Sequence, residues 1–263
     1  MATQLTNLDL DARHYRKNSA VQSSFALPFI DSHLFRGDES ILDIGCGEGK
    51  ITQKLLEKVP QGKVVGIDKS SSMIDLARKD FPGITFDLQR VETLHFSEQF
   101  DLITSFSCFH WTDQTLAFQS VAKHLKPNGY AMVLTYPCVN TFWDPIESVV
   151  SEQRWEFFFK GVEKPYQFLS ENTYLKMLPQ LGFEILSFES VPHITTLIGK
   201  KGFEEYVRGW NPYLLFLPKT FHDQFMEEIG ARAVEMNPLQ ADGSHVHPGA
   251  TFFMKLRINV QRS

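Results

Sequence analysis

The sequence predicts an α/β fold built on a parallel sheet, and three observations carry that expectation. From Glu39 to about Tyr136, apolar runs of strand length alternate with amphipathic segments of helix length, the rhythm of successive strand–helix–strand units. One of those strands runs straight into a glycine-rich turn and then a helix, as ligand-binding parallel sheets do. With 43% hydrophobic and 22% charged residues over 263 positions, the composition sits near globular averages and excludes disordered, collagen-like and coiled-coil classes.

The elements follow in order. SILDIGC (40–46) is the first strand, and Gly49 to Val59 is a helix with Ile51, Leu55 and Leu56 on its inner face. KVVGID (63–68) is the second strand. Ser70 then offers a side-chain cap to a helix reaching Lys79, with Met73, Ile74 and Ala77 inward. ITFDL (84–88) and DLITSF (101–106) are strands. Thr112 to Leu125 repeats the helical spacing with Leu116, Ala117, Val121 and Leu125 inward, and Pro127 and Gly129 of KPNG are expected to stop it. YAMVLTY (130–136) is the fifth strand. Ser170 caps the helix of ENTYLKMLPQL, which ends at Gly182, and FEILSFESV (183–191) and TFFMKLRINV (251–260) complete a seven-stranded sheet.

Two stretches break the rhythm. Residues 138–168 and 200–237 have helical patterns and many aromatic residues, so they read as helical insertions capping the sheet. Residues 1–38 form a helical segment before the first strand. No repeat or linker-like tract appears, and residues 1–263 are expected to make one domain.

Charge and cysteine usage narrow the function. The net charge is −5, from 26 Lys and Arg against 31 Asp and Glu, so no basic field exists to collect phosphates and nucleic acid is not an expected partner. The amino terminus lacks an apolar leader core and nothing approaches the roughly 18 apolar residues of a membrane span, so a cytoplasmic protein without membrane attachment is expected. Cys46, Cys108 and Cys138 are odd in number and lack metal-ligand spacing; Cys46 and Cys108 read as small core fillers. The spacing of His245 and His247 suits a metal, but ADGSHVHPG offers no Cys or acidic partner beyond its turn and reads as a surface loop. No metal is expected, and the oligomeric state is not legible.

ILDIGCGEGK (41–50) is the strongest motif. Gly45 and Gly47 let the backbone approach a ligand, and the following helix offers its positive end. A dinucleotide loop would place its third glycine one position later, and Asp43 at the strand end would repel a pyrophosphate. Asp43 suits an ammonium instead, directly or through water. Asp68 closes the next strand, where a carboxylate can accept both hydroxyls of a ribose. Met73, one turn into the following helix, can lay a thioether against an adenine.

DIGCGEG, VVGIDKSSSMIDLAR, FDLITSFSCFHW and LKPNGYAMVL, in that order, resemble the class I S-adenosylmethionine-dependent methyltransferases, whose sheet is Rossmann-like. The resemblance implies S-adenosylmethionine as cofactor and S-adenosylhomocysteine as product. It implies that the turn at Gly45, Cys46 and Gly47 holds the methionine part, Asp68 with neighbouring Lys69 the ribose, and Met73 the adenine. Ser105 and Phe106, at the end of the fourth strand, would join them. One departure stands out: an acidic residue is usual after the third strand, and here QRVETL places Arg90 there. Gln89 and the backbone of Val91 would take over that contact.

HYRKNSAVQ (14–22), with Tyr15, Ser19 and Gln22 on one helical face, together with SFSCFHW (105–111), resembles the carboxyl methyltransferases: the salicylate and jasmonate types, the juvenile hormone acid methyltransferases and the trans-aconitate methyltransferases. By that resemblance Gln22 and Trp111 donate N–H bonds to the substrate carboxylate and are the catalytic pair, while Tyr15 and Ser19 lie beside the methionine part.

Chemistry agrees with that assignment. A carboxylic acid of pKa near about 4.5 is already anionic at neutral pH and needs no general base, only position. His110, beside Trp111, is a substrate-site residue, with general-base chemistry on a phenol as the rival role. Trp143, Trp155, Tyr206 and Trp210 of the insertions are candidates for an apolar wall around the acid's tail, the alternative being that they pack the insertions together. The expected partner is therefore a small, hydrophobic or aromatic carboxylic acid. Methylation of a carrier-bound acyl carboxylate or of a phenol or quinone ring is the alternative among enzymes, and an inactive cofactor-binding protein the alternative outside them.

Overall fold

The computed structural model describes residues 20–258, with the backbone alone for 20–23. It falls into two compact units. The first takes the chain to Tyr136, Tyr166–Val191 and the chain from Thr251; the second takes Pro137–Pro165 and Pro192–Ala250. The second unit thus takes in most of 138–168 and all of 200–237, the latter within the longer run 192–250.

In the first unit α1 (Ala20–Asp31) precedes β1 (Ser40–Ile44), whose five residues are all buried, as expected of a parallel strand covered on both faces. α2 (Lys50–Lys58) follows the glycine turn and buries Leu55 completely. β2 (Lys63–Asp68) leads to α3 (Ser71–Asp80), where Ser70 Oγ accepts the Met73 N–H at 3.2 Å and Met73, Ile74 and Ala77 are buried as read from their spacing. β3 (Thr85–Leu88), β4 (Phe100–Phe106) and α4 (Gln114–His124) come next.

Here two expectations are corrected. Asp113 caps α4, and the helix buries Ala117, Phe118 and Val121 while Leu116 is 47% exposed, because the apolar face rotates toward Phe118. KPNG does not stop the helix either. β5 (Leu125–Thr135) already starts at Leu125 and takes the KPNG turn residues into itself, with Asn128 at φ +62° and a register shift against β4 between Phe100 and Leu102. Proline and glycine mark an irregular strand start at that point.

The sheet order is β3-β2-β1-β4-β5-β7-β6, where β6 is Phe183–Ile198 and β7 Ser244–Ile258. β1 pairs in parallel with β2 (Asp43 opposite Gly66) and with β4 (Asp43 opposite Thr104), and β5 pairs antiparallel with β7 (Val133 opposite Met254). The order reverses between β1 and β4, so the crevice for a ligand opens at the C-terminal ends of those two strands. One face of the sheet packs Phe109, Phe118, Tyr174, Phe183, Phe252 and Met254 together, with Tyr174 contributed by α7 (Glu171–Gln180); the other packs Phe29 of α1 against Leu55, Val64, Leu102 and Met132.

The second unit holds α5 (Asn140–Val150), α6 (Gln153–Phe159), α8 (Gly199–Arg208) and α9 (His222–Met236). His245 and His247 are not in a surface loop: both lie fully buried in β7, and turn residues on either side masked the strand pattern around them. Among the described residues no helix is long and apolar enough to cross a membrane.

Candidate active site

β1 ends at Ile44, and the chain turns back on β2 through two hydrogen bonds, Gly45 and Cys46 N–H to the Ile67 carbonyl at 2.8 and 2.9 Å. Gly45 and Gly47 have φ of +73° and +52°, the left-handed region that glycine adopts without strain. A Cβ on Gly45 would stand 2.5 Å from Cys108, whereas one on Gly47 would meet nothing within 4 Å. The turn is closed on one side and open on the other, a cradle that fits a ligand at Gly47.

Asp68 shapes this cradle. Its Oδ2 accepts the Gly47 N–H at 3.0 Å and its Oδ1 the Ser70 N–H at 2.9 Å, so the carboxylate is fixed in place with one backbone donor on each oxygen. Burial raises its pKa, and those two donors work against the rise. Each oxygen keeps a lone pair for a hydroxyl.

Asp43 is more enclosed than its proposed contact with an ammonium anticipated. It is buried, its Oδ2 accepts the Thr52 hydroxyl at 2.7 Å and its Oδ1 the Thr104 hydroxyl at 2.8 Å. Burial pushes its pKa up to about 6, against the pull of those hydroxyls. Thr52 and Thr104 were not legible as site residues, because nothing local in the sequence links them to Asp43.

Around the far rim, Gln89 donates its N–H to the Asp68 carbonyl at 3.1 Å, Val91 is buried in a 3-10 turn, and Arg90 is drawn to Glu92 at 3.5 Å. Lys69 is exposed and its Nζ donates to the Trp111 carbonyl at 3.4 Å. Cys46 is buried, Cys108 half-buried, and burial pushes both thiols up, that of Cys108 to about 12; these are inert fillers as expected. Ser105 is buried at the end of β4. Phe106, half-buried, turns its ring edge-on to Phe29 at 6.4 Å and packs against the cluster that holds α1.

After Ser107, at φ +60° and with its hydroxyl 2.6 Å from that of Tyr136, the chain forms a 3-10 turn over Phe109–Trp111. His110 is buried with its ring stacked on Phe168 (5.7 Å, 12°), edge-on to Tyr136 and tilted against Trp111. Burial, with Lys69 nearby, pushes its pKa down to about 3. The imidazole is therefore neutral and a feeble proton acceptor. Tyr136 and Phe168 enter the site unannounced by any motif, and Ser107, inside SFSCFHW, is not singled out by it.

The remaining candidates divide. Tyr15 and Ser19 lie outside the described residues, as does the side chain of Gln22, whose backbone belongs to α1. In the second unit Trp143, Tyr206 and Trp210 gather around one cluster: Trp210 sits 5.2 Å from Trp143 and 6.1 Å from both Tyr206 and Phe142. Trp155 is elsewhere, 5.1 Å from Phe225 with its indole N–H donated to Glu228 at 2.6 Å, so it packs α6 on α9 rather than joining the other three. Among the described residues no three His, Cys, Asp or Glu side chains group as metal ligands.

The chain is similar in sequence and in fold to known proteins. Residues 41–129 fit a family model described as a methyltransferase domain. A methyltransferase-named protein of Invertebrate iridescent virus 6 is 28% identical over 66% of this chain and 66% of its own length. The juvenile hormone acid O-methyltransferase of Drosophila melanogaster is 24% identical over 79% of this chain and 75% of that one, and the trans-aconitate 2-methyltransferase of Methylobacterium nodulans 24% identical over 95% and 98%. Among solved structures, the YcgJ protein of Bacillus subtilis superposes with a TM-score of 0.60 at 17% identity, covering 90% of this chain and 98% of that one. An O-methyltransferase from a Brevibacillus brevis multienzyme, in complex with S-adenosyl-L-homocysteine, gives 0.54 at 13% identity over 92% and 79%.

Proposed function

Since the chain is a class I S-adenosylmethionine-dependent methyltransferase that resembles the carboxyl methyltransferases, we propose that it esterifies the carboxylate of a small acid with a hydrophobic or aromatic tail. The observation that carries this reading is the neutral His110. Buried and stacked on Phe168, with its pKa pushed down to about 3, this imidazole is a weak proton acceptor for a phenol, whereas a carboxylate at neutral pH has no proton to lose.

S-adenosylmethionine supplies an electrophilic sulfonium methyl. The cradle suits it: Asp68 can offer one oxygen to each ribose hydroxyl, and the turn over Gly45 to Gly47, with Asp43 beneath, is assigned to the methionine part. Met73, Gln89 and Val91 are assigned to the adenine, and Tyr15 and Ser19, by the resemblance alone, to the methionine part. At the acceptor side the Gln22 amide and the Trp111 indole are assigned as neutral donors that orient the carboxylate without dulling it as a salt bridge would. Tail selection is assigned to Trp143, Tyr206 and Trp210 on their aromatic character.

Labelled S-adenosylmethionine offered with carboxylic acids, from acetate to long-chain and aromatic ones, tests this by the methyl esters formed. Turnover should be flat between about pH 6 and 8. A rate climbing through about pH 6.5 and abolished in His110→Ala would overturn the carboxylate reading in favour of base chemistry.

A further inference from the structure

The turn that carries His110 and Trp111 is tied down by a segment remote in sequence. Gln167 donates its backbone N–H to the His110 carbonyl at 2.8 Å, and the adjacent Phe168 lies flat on the His110 ring. Gln114, the first residue of α4, answers twice: its Nε2 donates to the Gln167 carbonyl at 2.7 Å, and its backbone N–H donates to Gln167 Oε1 at 3.2 Å. The Gln114 side-chain oxygen in turn accepts the Tyr174 hydroxyl. Gln114 and Tyr174 are completely buried, while the Gln167 side chain is exposed.

The helix does not require this arrangement. Asp113 already caps α4 by accepting the Leu116 N–H at 3.0 Å, and Ala117, Phe118 and Val121 anchor its apolar face. What the buried amide fixes is the strap over 166–168, and through it the His110 carbonyl and ring. A buried polar network with every partner present holds one geometry, because any shift leaves a group unsatisfied. We propose that Gln114 is a positioning residue for the methyl transfer: through Gln167 it sets the turn that aims Trp111 at the acceptor. The inference rests on the assignment of Trp111 as a carboxylate donor.

A double-mutant cycle with Gln114→Leu and Trp111→Phe tests it, reading kcat, KM for the acid and cofactor affinity in the full chain. Gln114→Leu should lower kcat/KM for the acid by about tenfold, as small misplacements of reacting groups do, with cofactor affinity within about twofold of wild type. In the Trp111→Phe background the same change should cost less than about twofold, because there is no indole left to aim. Equal penalties in both backgrounds, or unchanged kinetics in Gln114→Leu while Trp111→Phe is impaired, would overturn the inference alone. A silent Trp111→Phe would overturn the acceptor assignment and the inference with it. Should Gln114→Leu not fold, Gln167→Ala removes only the exposed side-chain acceptor; a loss of about threefold in kcat/KM with unchanged cofactor affinity supports the inference, and unchanged kinetics overturn it.

Discussion

Asp68 Oδ2 accepts the Gly47 N–H at 3.0 Å, so the acid that ends β2 also fixes the glycine turn that follows β1. Removing it strips the proposed ribose contact and releases the turn together. Asp68→Ala should weaken S-adenosylmethionine by roughly 1.5 to 3 kcal/mol, the range for bonds to a charged group. Asp68→Asn, which keeps one acceptor, should fall between. Titration calorimetry with both variants checks the order, and unchanged affinity in Asp68→Ala would remove Asp68 from the site.

Asp43 makes stability depend on pH in a definite direction. Its folded pKa of about 6 lies above the ordinary 3.8, so the folded chain binds the extra proton and stability falls as pH rises through that window. Asp43→Asn should flatten this slope and, at pH 8, leave the protein as stable or more stable by up to about 2–3 kcal/mol. Urea unfolding at pH 4, 6 and 8 measures it. Weaker cofactor binding in the same variant would show that its ammonium contact survives behind Thr52 and Thr104.

His247 acts with the opposite sign. It is buried face to face with Phe142 at 4.1 Å, neither ring nitrogen has a hydrogen-bond partner, and burial with His245 beside it pushes its pKa down to about 4. The unfolded chain therefore takes up the proton between pH 6.5 and 4, and stability is lost as pH falls through that window. His247→Phe keeps the stack and removes two orphaned polar atoms, so it should stabilise by about 1–3 kcal/mol, more at pH 5 than at pH 8. The acid slope should shrink without vanishing, since His110, at about 3, contributes in the same direction.

Trp155 and Trp210 should behave differently under truncation. Trp155, with its N–H on Glu228, belongs to the packing of α6 and α9, and Trp155→Ala should cost about 3–5 kcal/mol with the ranking of acids unchanged. Trp210→Ala should instead move the preferred tail length upward, each accommodated methylene adding about 0.8 kcal/mol. Relative rates over a chain-length series, run on both variants, distinguish these outcomes. An unaltered series in Trp210→Ala would reduce Trp210 to packing as well.

What the sequence disclosed was local. The glycine turn, Asp68 and the Ser70 cap are each written within a few residues of the strand or helix they serve, and the structure places Asp68 and Gly47 in direct contact. What stayed hidden depends on partners far along the chain: Thr104 reaches Asp43 across 61 residues, and Tyr174 reaches Gln114 across 60. Turn residues misled in both directions. Pro127 and Gly129 suggested a helix stop where β5 already runs, and Gly243 and Pro248 disguised the buried alternation that holds His245 and His247 in β7. Trp155 was grouped by residue type with three rings it does not touch, because an aromatic residue's neighbours are fixed by helix packing and not by its own identity.

The antiparallel seat of β7 beside β5 bears on how the chain is made. Phe252, Met254 and Leu256 belong to the same buried cluster as Leu42, Ile44 and Ile103, yet they emerge from the ribosome after every other described element. Until then β5 presents an unpaired edge and the half-built core lacks three large side chains, the state in which nascent sheets pair with the wrong neighbour. Vectorial synthesis thus withholds completion of the first unit until β7 has emerged, and a stalled chain ending before Thr251 should be a client for holdase chaperones.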